Sequence, residues 1–275
     1  MKPTIFDPLH EMRNILLRAL RKIENRAAST DKKTHAIRVM SKKLRSLLYL
    51  IKPSLQDKES VKIQKRFYKE LSKDFSIERE MKVMHDTFLM LIKRNKLHID
   101  GFDELIAAIK ENKNNSSGPD IDEKLLSAKS SIQKAIDELD IFRRSDSKIK
   151  KWKKGFKKTY KKAYESLHLS LQSHNIEDIH TFRKYAKYHM YQAIFLKYHL
   201  KYSSKKIKAL EKLTLLLGKC NDIELFGDFL HKNTDIANST QMITYAAKEQ
   251  KKLTKKALKM ASKIFNDPKK IKKIL

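Results

Sequence analysis

Tight turns are made mostly by glycine and proline, and this chain has only five of each in 275 residues. A strand-rich fold needs many such turns, so the scarcity excludes most sheet architectures and leaves long helices. There is a single cysteine, Cys220. It makes no intrachain disulfide and cannot alone build a cysteine metal site, which fits a reducing compartment. Long apolar runs are absent: the richest, "FLMLI" and "LTLLL", are far too short to span a bilayer, and "MKPTIFDPLHEMRN" at the N-terminus holds no apolar signal core. The expectation is a soluble, cytoplasmic protein.

Acidic residues are also in short supply. Lys and Arg number 62 against 32 Asp and Glu, a formal net charge of +30. Solubility needs only a modest excess of one sign, and self-repulsion at this level opposes a compact state unless anions relieve it. A polyanionic partner is implied: polyphosphate, nucleic acid or an anionic membrane. Twelve of the basic residues are arginines, so a lysine at any one position says little and the arginines, with their planar forked donors, are the ones to follow. Hydrophobic residues at 40% supply a core and exclude wholesale disorder.

Helical spacing recurs along nearly the whole chain. Asp7-Pro8 opens a first helix to about Ala28, and a second runs from Thr30/Asp31 to before Pro53. Ser54 and Ser76 are read as caps of helices ending near Lys73 and Arg94, and a short helix is expected over 101–112. Further helices are expected over 121–142, 146–173, 176–201, 204–218, 221–232 and 237–265.

Two of these helices share a pattern. "HAIRVMSKKLRSLL" (35–48) and "HTFRKYAKYHMYQA" (180–193) align His35 on His180, Arg38 on Arg183 and Lys42 on Lys187. At the same offset "GFKKTYKKAYESL" (155–167) falls on "HEMRNILLRALRK" (10–22), both basic and amphipathic. Downstream, "ERE" (78–80) and "CND" (220–222) lie at similar distances from their histidines, each read as beginning a helix. The economical organisation is one domain over 1–275 with repeat halves of about 1–145 and 146–275.

At about 100° per residue, His35, Arg38, Lys42 and Arg45 share one side of their helix with Tyr49, and Ile37, Met40, Leu44, Leu47, Leu48 and Ile51 the other. In the second copy His180, Arg183, Lys184, Lys187 and Tyr191 share a face; Phe182, Tyr185, Ala186, His189, Ala193 and Leu196 oppose them. A solvated face usually mixes signs, because acid–base pairs four apart support a helix. Neither stripe contains an acid, and that arrangement makes sense if an anion lies on it. A third basic face carries Lys150, Lys154, Lys158 and Lys161, flanked by Lys157, opposite Trp152, Phe156, Ala163 and Leu167.

These residues resemble the CHAD family, the conserved histidine α-helical domain. Its pattern is His-x-x-Arg followed by spaced Lys or Arg on the same helix, once per half. His35, Arg38, Val39, Lys42, Lys43 and Arg45 match the first copy, and His180, Arg183, Lys184, Lys187 and Tyr191 the second. "GFKKTYKKAYESL", "LLGKCNDIEL" (216–225) and "IEREMKVM" (77–84) resemble three further segments, with Glu80 replacing an Asp. Met190 stands where the second motif usually has a basic residue, and Lys often replaces Arg. The resemblance implies an all-α fold of two bundles, about four long helices each, related by a pseudo-two-fold axis around a basic groove or pore. It also implies non-catalytic binding of inorganic polyphosphate, with no cofactor or metal, by His35, Arg38, Lys42, Lys43, Arg45, Lys154, Lys157, Lys158, Lys161, His180, Arg183, Lys184, Lys187 and Tyr191. An association with polyphosphate granules follows as an expectation. Phosphate favours protonated imidazoles, so binding is expected to strengthen as pH falls from about 8 to about 6.

Three rival functions are weaker. Nucleic acid is the alternative polyanion, but no recognition-helix module or RNA-binding aromatic motif is present. A metal phosphohydrolase would use His85-Asp86, yet such a site needs further ligands, and Gly218-Lys219 lacks the preceding glycine of a phosphate-cradling loop. A membrane-surface helix would need exposed bulky apolar residues beside lysines, and Trp152 and Phe156 suit a core better.

Overall fold

The computed structural model describes residues 6–55, 57–95, 107, 120–139, 150–173, 175–200, 202–233, 239–267 and 269. Every regular element among them is helical: α1 (Pro8–Glu24), α2 (Thr30–Ile51), a short 3-10 turn (Lys52–Ser54), α3 (Lys58–Lys73), α4 (Ser76–Asn95), α5 (Ile121–Asp137), α6 (Lys150–Ser173), α7 (Ile176–Phe195), α8 (Ser204–Lys232) and α9 (Ser239–Ile264). The all-α reading holds. The short helix expected over 101–112 lies, apart from Ala107, outside the described residues.

Local chemistry sets most ends. The Asp7 carboxylate accepts the Leu9 and His10 N–H groups ahead of Pro8, which sits where a missing N–H costs nothing. Pro53 ends α2, as expected, but falls in the 3-10 turn. The cap of α3 is therefore Asp57, which takes the N–H groups of Glu59 and Ser60, and not Ser54. The larger correction is α8. The two helices expected over 204–218 and 221–232 are one continuous helix, because Cys220 is buried and Asp222 finds an ion-pair partner, Arg79, at 2.6 Å. "CND" is thus mid-helix, and only "ERE" stands near a helix start.

The chain divides into two compact units. One comprises 1–75, 120–214 and 261–275; the other comprises 76–119 and 215–260. Each unit draws on both sequence halves, so the halves and the units do not coincide, although each half is cut at a comparable place.

In the first unit α2 packs against α1, α3, α6 and α7. Its Ile37, Leu44, Leu47, Leu48 and Leu50 are fully buried. Gly155 lets α6 seat on α2: a Cβ there would lie 1.9 Å from the Leu50 carbonyl oxygen. α6 also packs along α7, where the buried His189 ring is enclosed by Phe156, Tyr160, Tyr202 and Phe265, with ring centres 4.5–5.9 Å away. Burial pushes the His189 imidazole down to about 3, so it is neutral.

The second unit is organised by an apolar cluster of Phe88, Leu91, Ile223, Phe226, Leu230 and Met242. Two ion pairs flank it, Arg79 with Asp222 and Arg94 with the mostly buried Glu249. His85 sits in this unit on the partly exposed side of α4, beside Asp86. Among the described residues no group of three or more His, Cys, Asp or Glu could hold a metal ion, and no helix is long and apolar enough to cross a membrane.

Candidate functional site

All the candidate site residues belong to the first unit. On α2, His35 is exposed, while Arg38, Lys42, Arg45 and Tyr49 are half-buried along one face. Arg38 has a structural duty that the sequence did not announce. Its Nη1 donates to the carbonyls of Ser72 (2.9 Å) and Phe75 (3.0 Å), where α3 ends. Carbonyls at a helix C-terminus lack intrahelical partners and carry partial negative charge, and a guanidinium satisfies both needs. Arg45 remains close to its own helix, with Nε donating to the Ser41 carbonyl at 3.3 Å. Lys43 lies off this face. Its neighbours are Arg18 and Glu11 of α1, and burial, then Arg18, lowers its pKa.

On α7, Lys184 is exposed and His180, Arg183 and Lys187 are half-buried. Tyr191 is buried and stacks on Phe195, with ring centres 6.4 Å apart. Burial pushes its phenol up to about 12, with Arg183 acting in the opposite sense, so the two are electrostatic neighbours. A wheel diagram puts Tyr191 on the basic face, but packing covers that end of it. Met190 is buried as well, and its sulfur accepts the Thr214 hydroxyl at 3.0 Å. A basic side chain there would have to lose its hydration, which explains why the position is apolar in this chain.

Helices α2 and α7 cross at Ser46. Buried Ser46 donates to the Tyr188 carbonyl at 2.9 Å, and Gln192 returns a bond to the Ser46 carbonyl at 3.0 Å. Beside this crossing Tyr49 packs against Tyr185 and Tyr188, with ring centres about 6 Å apart. Lys65 of α3 lies 5.5 Å from the Tyr49 ring centre and Lys184 lies 5.1 Å from that of Tyr185. Burial lowers the Lys65 pKa first, followed by repulsion from Lys52, Lys184 and Arg45. Cations from both repeat copies and from α3 therefore share one field. Tyr49 is pushed up to about 12 by burial, by Tyr185 and Tyr188, and by Glu165 of α6.

Helix α6 contributes less directly. Lys154, Lys157, Lys158 and Lys161 are exposed on the face away from Gly155 and Phe156. Lys161 pairs with Glu165 at 3.6 Å, and Lys162 pairs with the same carboxylate at 3.0 Å. The structure thus unites Arg45, Lys184 and the Tyr49–Tyr185 pair, and adds Lys52, Lys65, Lys162 and Glu165, which sequence reading missed. Nothing in the local spacing of α3 marks Lys65, since it matters only because α3 packs on α2.

This arrangement offers cationic donors around aromatic rings, with the Glu165 carboxylate at its edge.

Comparison with known proteins agrees with the helical architecture. The crystal structure of the CHAD domain from the plant Ricinus communis superposes with a TM-score of 0.51 over 98% of this chain and 89% of that one, at 17% identity. No curated protein matches the chain. The model of the CHAD domain family matches residues 14–231, which include both motif helices and the crossing between them, and the chain belongs to that family.

Proposed function

We propose that the chain binds inorganic polyphosphate, without catalysis, along the basic sides of α2 and α7 where they cross. The supporting observation is the shared field of Arg45, Lys52, Lys65 and Lys184, drawn from both motif helices, the 3-10 turn and α3. Bringing four cations together, three of them half-buried, opposes folding. A polymer with about one charge per phosphate, and neither bases nor sugars, relieves that repulsion through charge-assisted hydrogen bonds and counterion release. The CHAD family is associated with this ligand, and membership strengthens the reading. A compartment containing polyphosphate granules is the location such a ligand implies.

Nucleic acid has one feature in its favour, the partly exposed Tyr49 and Tyr185 rings. Their mutual contact is edge-to-face, and lysines lie against both. Bases would have to displace these neighbours to stack, so a ligand without bases fits better.

The test is calorimetric titration with polyphosphates of graded length. The expected result is affinity that rises with chain length until the crossing is spanned, then levels per chain, and that falls steeply with salt. Single-stranded DNA at equal charge concentration should compete poorly. Equal competition by DNA assigns the site to nucleic acid, and phosphate release on adding Mg²⁺ or Mn²⁺ contradicts a binding-only role.

A further inference from the structure

On the other side of α7 from its basic stripe, behind the buried His189, the first unit has a cavity of about 450 Å³. It lies between Tyr160 of α6, the start of α8 and the end of α9, and none of the stripe residues lines it. Its walls are mainly apolar, from the two phenol rings of Tyr160 and Tyr202 with Ala209 and Ile264. Lys205, Lys206 and Lys263 also line it. An extended anionic polymer has no use for apolar walls. A small molecule with a flat ring and a phosphate uses both, in the proportion usual for ligand pockets.

Three details favour such a ligand. Ser203 lines the cavity and opens α8, its carbonyl taking the Lys206 and Ile207 N–H groups. The N–H groups ahead of these have no intrahelical partners and suit a phosphate. Tyr160 is held by donating to the Ile264 carbonyl at 3.2 Å. Tyr202 is held by His189 Nε2 at 3.2 Å, and among the described residues His189 Nδ1 has no hydrogen-bond partner. A bare lone pair is tolerated in a core better than a bare N–H. The proton therefore belongs on Nε2, donating to the Tyr202 oxygen and leaving the Tyr202 hydroxyl hydrogen for a ligand.

We propose that this cavity is a second ligand site, separate from the α2–α7 crossing, that takes one nucleoside phosphate, its base in the mainly apolar space bordered by Tyr160, Tyr202, Ala209 and Ile264 and its phosphates toward Lys205, Lys206 and Lys263. The proposal does not depend on polyphosphate being the ligand at the crossing.

Calorimetry with ADP, adenosine and inorganic pyrophosphate tests it. ADP should bind once per chain, with adenosine and pyrophosphate each about tenfold weaker or worse. Ala209→Phe, which fills the cavity, and the surface pair Lys206→Glu/Lys263→Glu should each weaken ADP by about tenfold or more. The crossing variant Arg45→Gln/Lys184→Gln should leave ADP within about twofold. Circular dichroism checks that each variant is folded, and the lysine pair serves if Ala209→Phe is not. Pyrophosphate binding as tightly as ADP overturns the proposal, as does ADP binding that follows the crossing variant instead of the cavity variants. Absence of ADP binding at millimolar concentration overturns it as well.

Discussion

In α2 the motif arginine, Arg38, gives Nη1 to the carbonyls of Ser72 and Phe75; in α7 its counterpart, Arg183, lies near the buried phenol of Tyr191. The helices differ along their length too. The basic side of α2 stays partly accessible from His35 to Tyr49, whereas α7 is buried continuously from Tyr188 to Ala193, so its accessible stripe ends at Lys187. One pattern written twice has therefore been divided between two tasks. Part of each copy serves the fold, while Arg45 of one and Lys184 of the other both act on Lys65. Tertiary packing decides which side chains in each copy stay accessible.

The harshest way to break the pair is to separate the helix that braces both copies. α6 packs on α2 and α7, and the Gly155 contact with the Leu50 carbonyl leaves no room for a methyl group. The Cβ position is fixed by the backbone and the Leu50 oxygen is itself backbone, so neither can rotate away. Gly155→Ala is expected to cost about 3 kcal/mol or more, and Gly155→Val to prevent folding, measured by urea denaturation followed through buried Trp152. A neutral effect would mean that α6 does not seat on α2 this closely.

A binding cycle asks whether the copies act together. Arg45→Gln and Lys184→Gln are each expected to weaken polyphosphate by several-fold to about tenfold and to reduce the salt dependence by about one charge each. The double variant should depart from additivity, because both cations act on Lys65. Strict additivity would place the two copies on separate ligand segments.

Acid should expose another asymmetry. The α7 copy carries His189, which no residue of the α2 stripe matches in burial. Its folded pKa of about 3 lies below the ordinary value near 6.5. The unfolded state then binds the extra proton between these values, so stability is full above about 6.5 and falls as pH drops towards 3. At pH 5 the loss is about 2 kcal/mol. His189→Phe should flatten that part of the profile, and an unchanged profile would assign acid sensitivity elsewhere.

Arg38 separates the structural from the binding duty within one residue type. Removing its two bonds to the end of α3 should lower stability by about 2 kcal/mol in Arg38→Ala. Arg38→Lys should restore less than half, since the ammonium of the shorter lysine stem falls one bond short of the Nη1 position that makes both contacts. Polyphosphate affinity measured on the folded fraction should change less than in Arg45→Gln. The reverse ordering would return Arg38 to the ligand.

Much of this was readable in advance, for reasons that are local. Asp7-Pro8 and Pro53 act on their own backbone, so the ends they set were visible. The wheel placed Ile37, Leu44, Phe182 and His189 inside, and all four are fully buried. What was missed depends on distant partners. Lys65 and Glu165 join the site through the packing of α3 and α6, and Tyr191 is buried although the wheel puts it on the basic face. The polar pair Asn221-Asp222 looked like a helix start because Arg79, which compensates Asp222, lies 143 residues earlier.

The same misreading suggests the smallest test, in the helix that was expected to break. Gly218 is the last residue of the first of the two helices expected there, yet α8 runs straight through it and a Cβ would meet nothing within 4 Å. It is the opposite of Gly155: the backbone is ordinary helix, and no neighbour requires the missing side chain. Glycine inside a helix carries extra conformational entropy in the unfolded state, so Gly218→Ala should stabilise the protein by about 0.5–1 kcal/mol. The measurement is the urea midpoint by circular dichroism at 222 nm, the wavelength that reports helix, with polyphosphate affinity unchanged. A fall in the midpoint would mean that α8 needs a flexible joint between Leu217 and Cys220, and that the break expected from the sequence exists in solution.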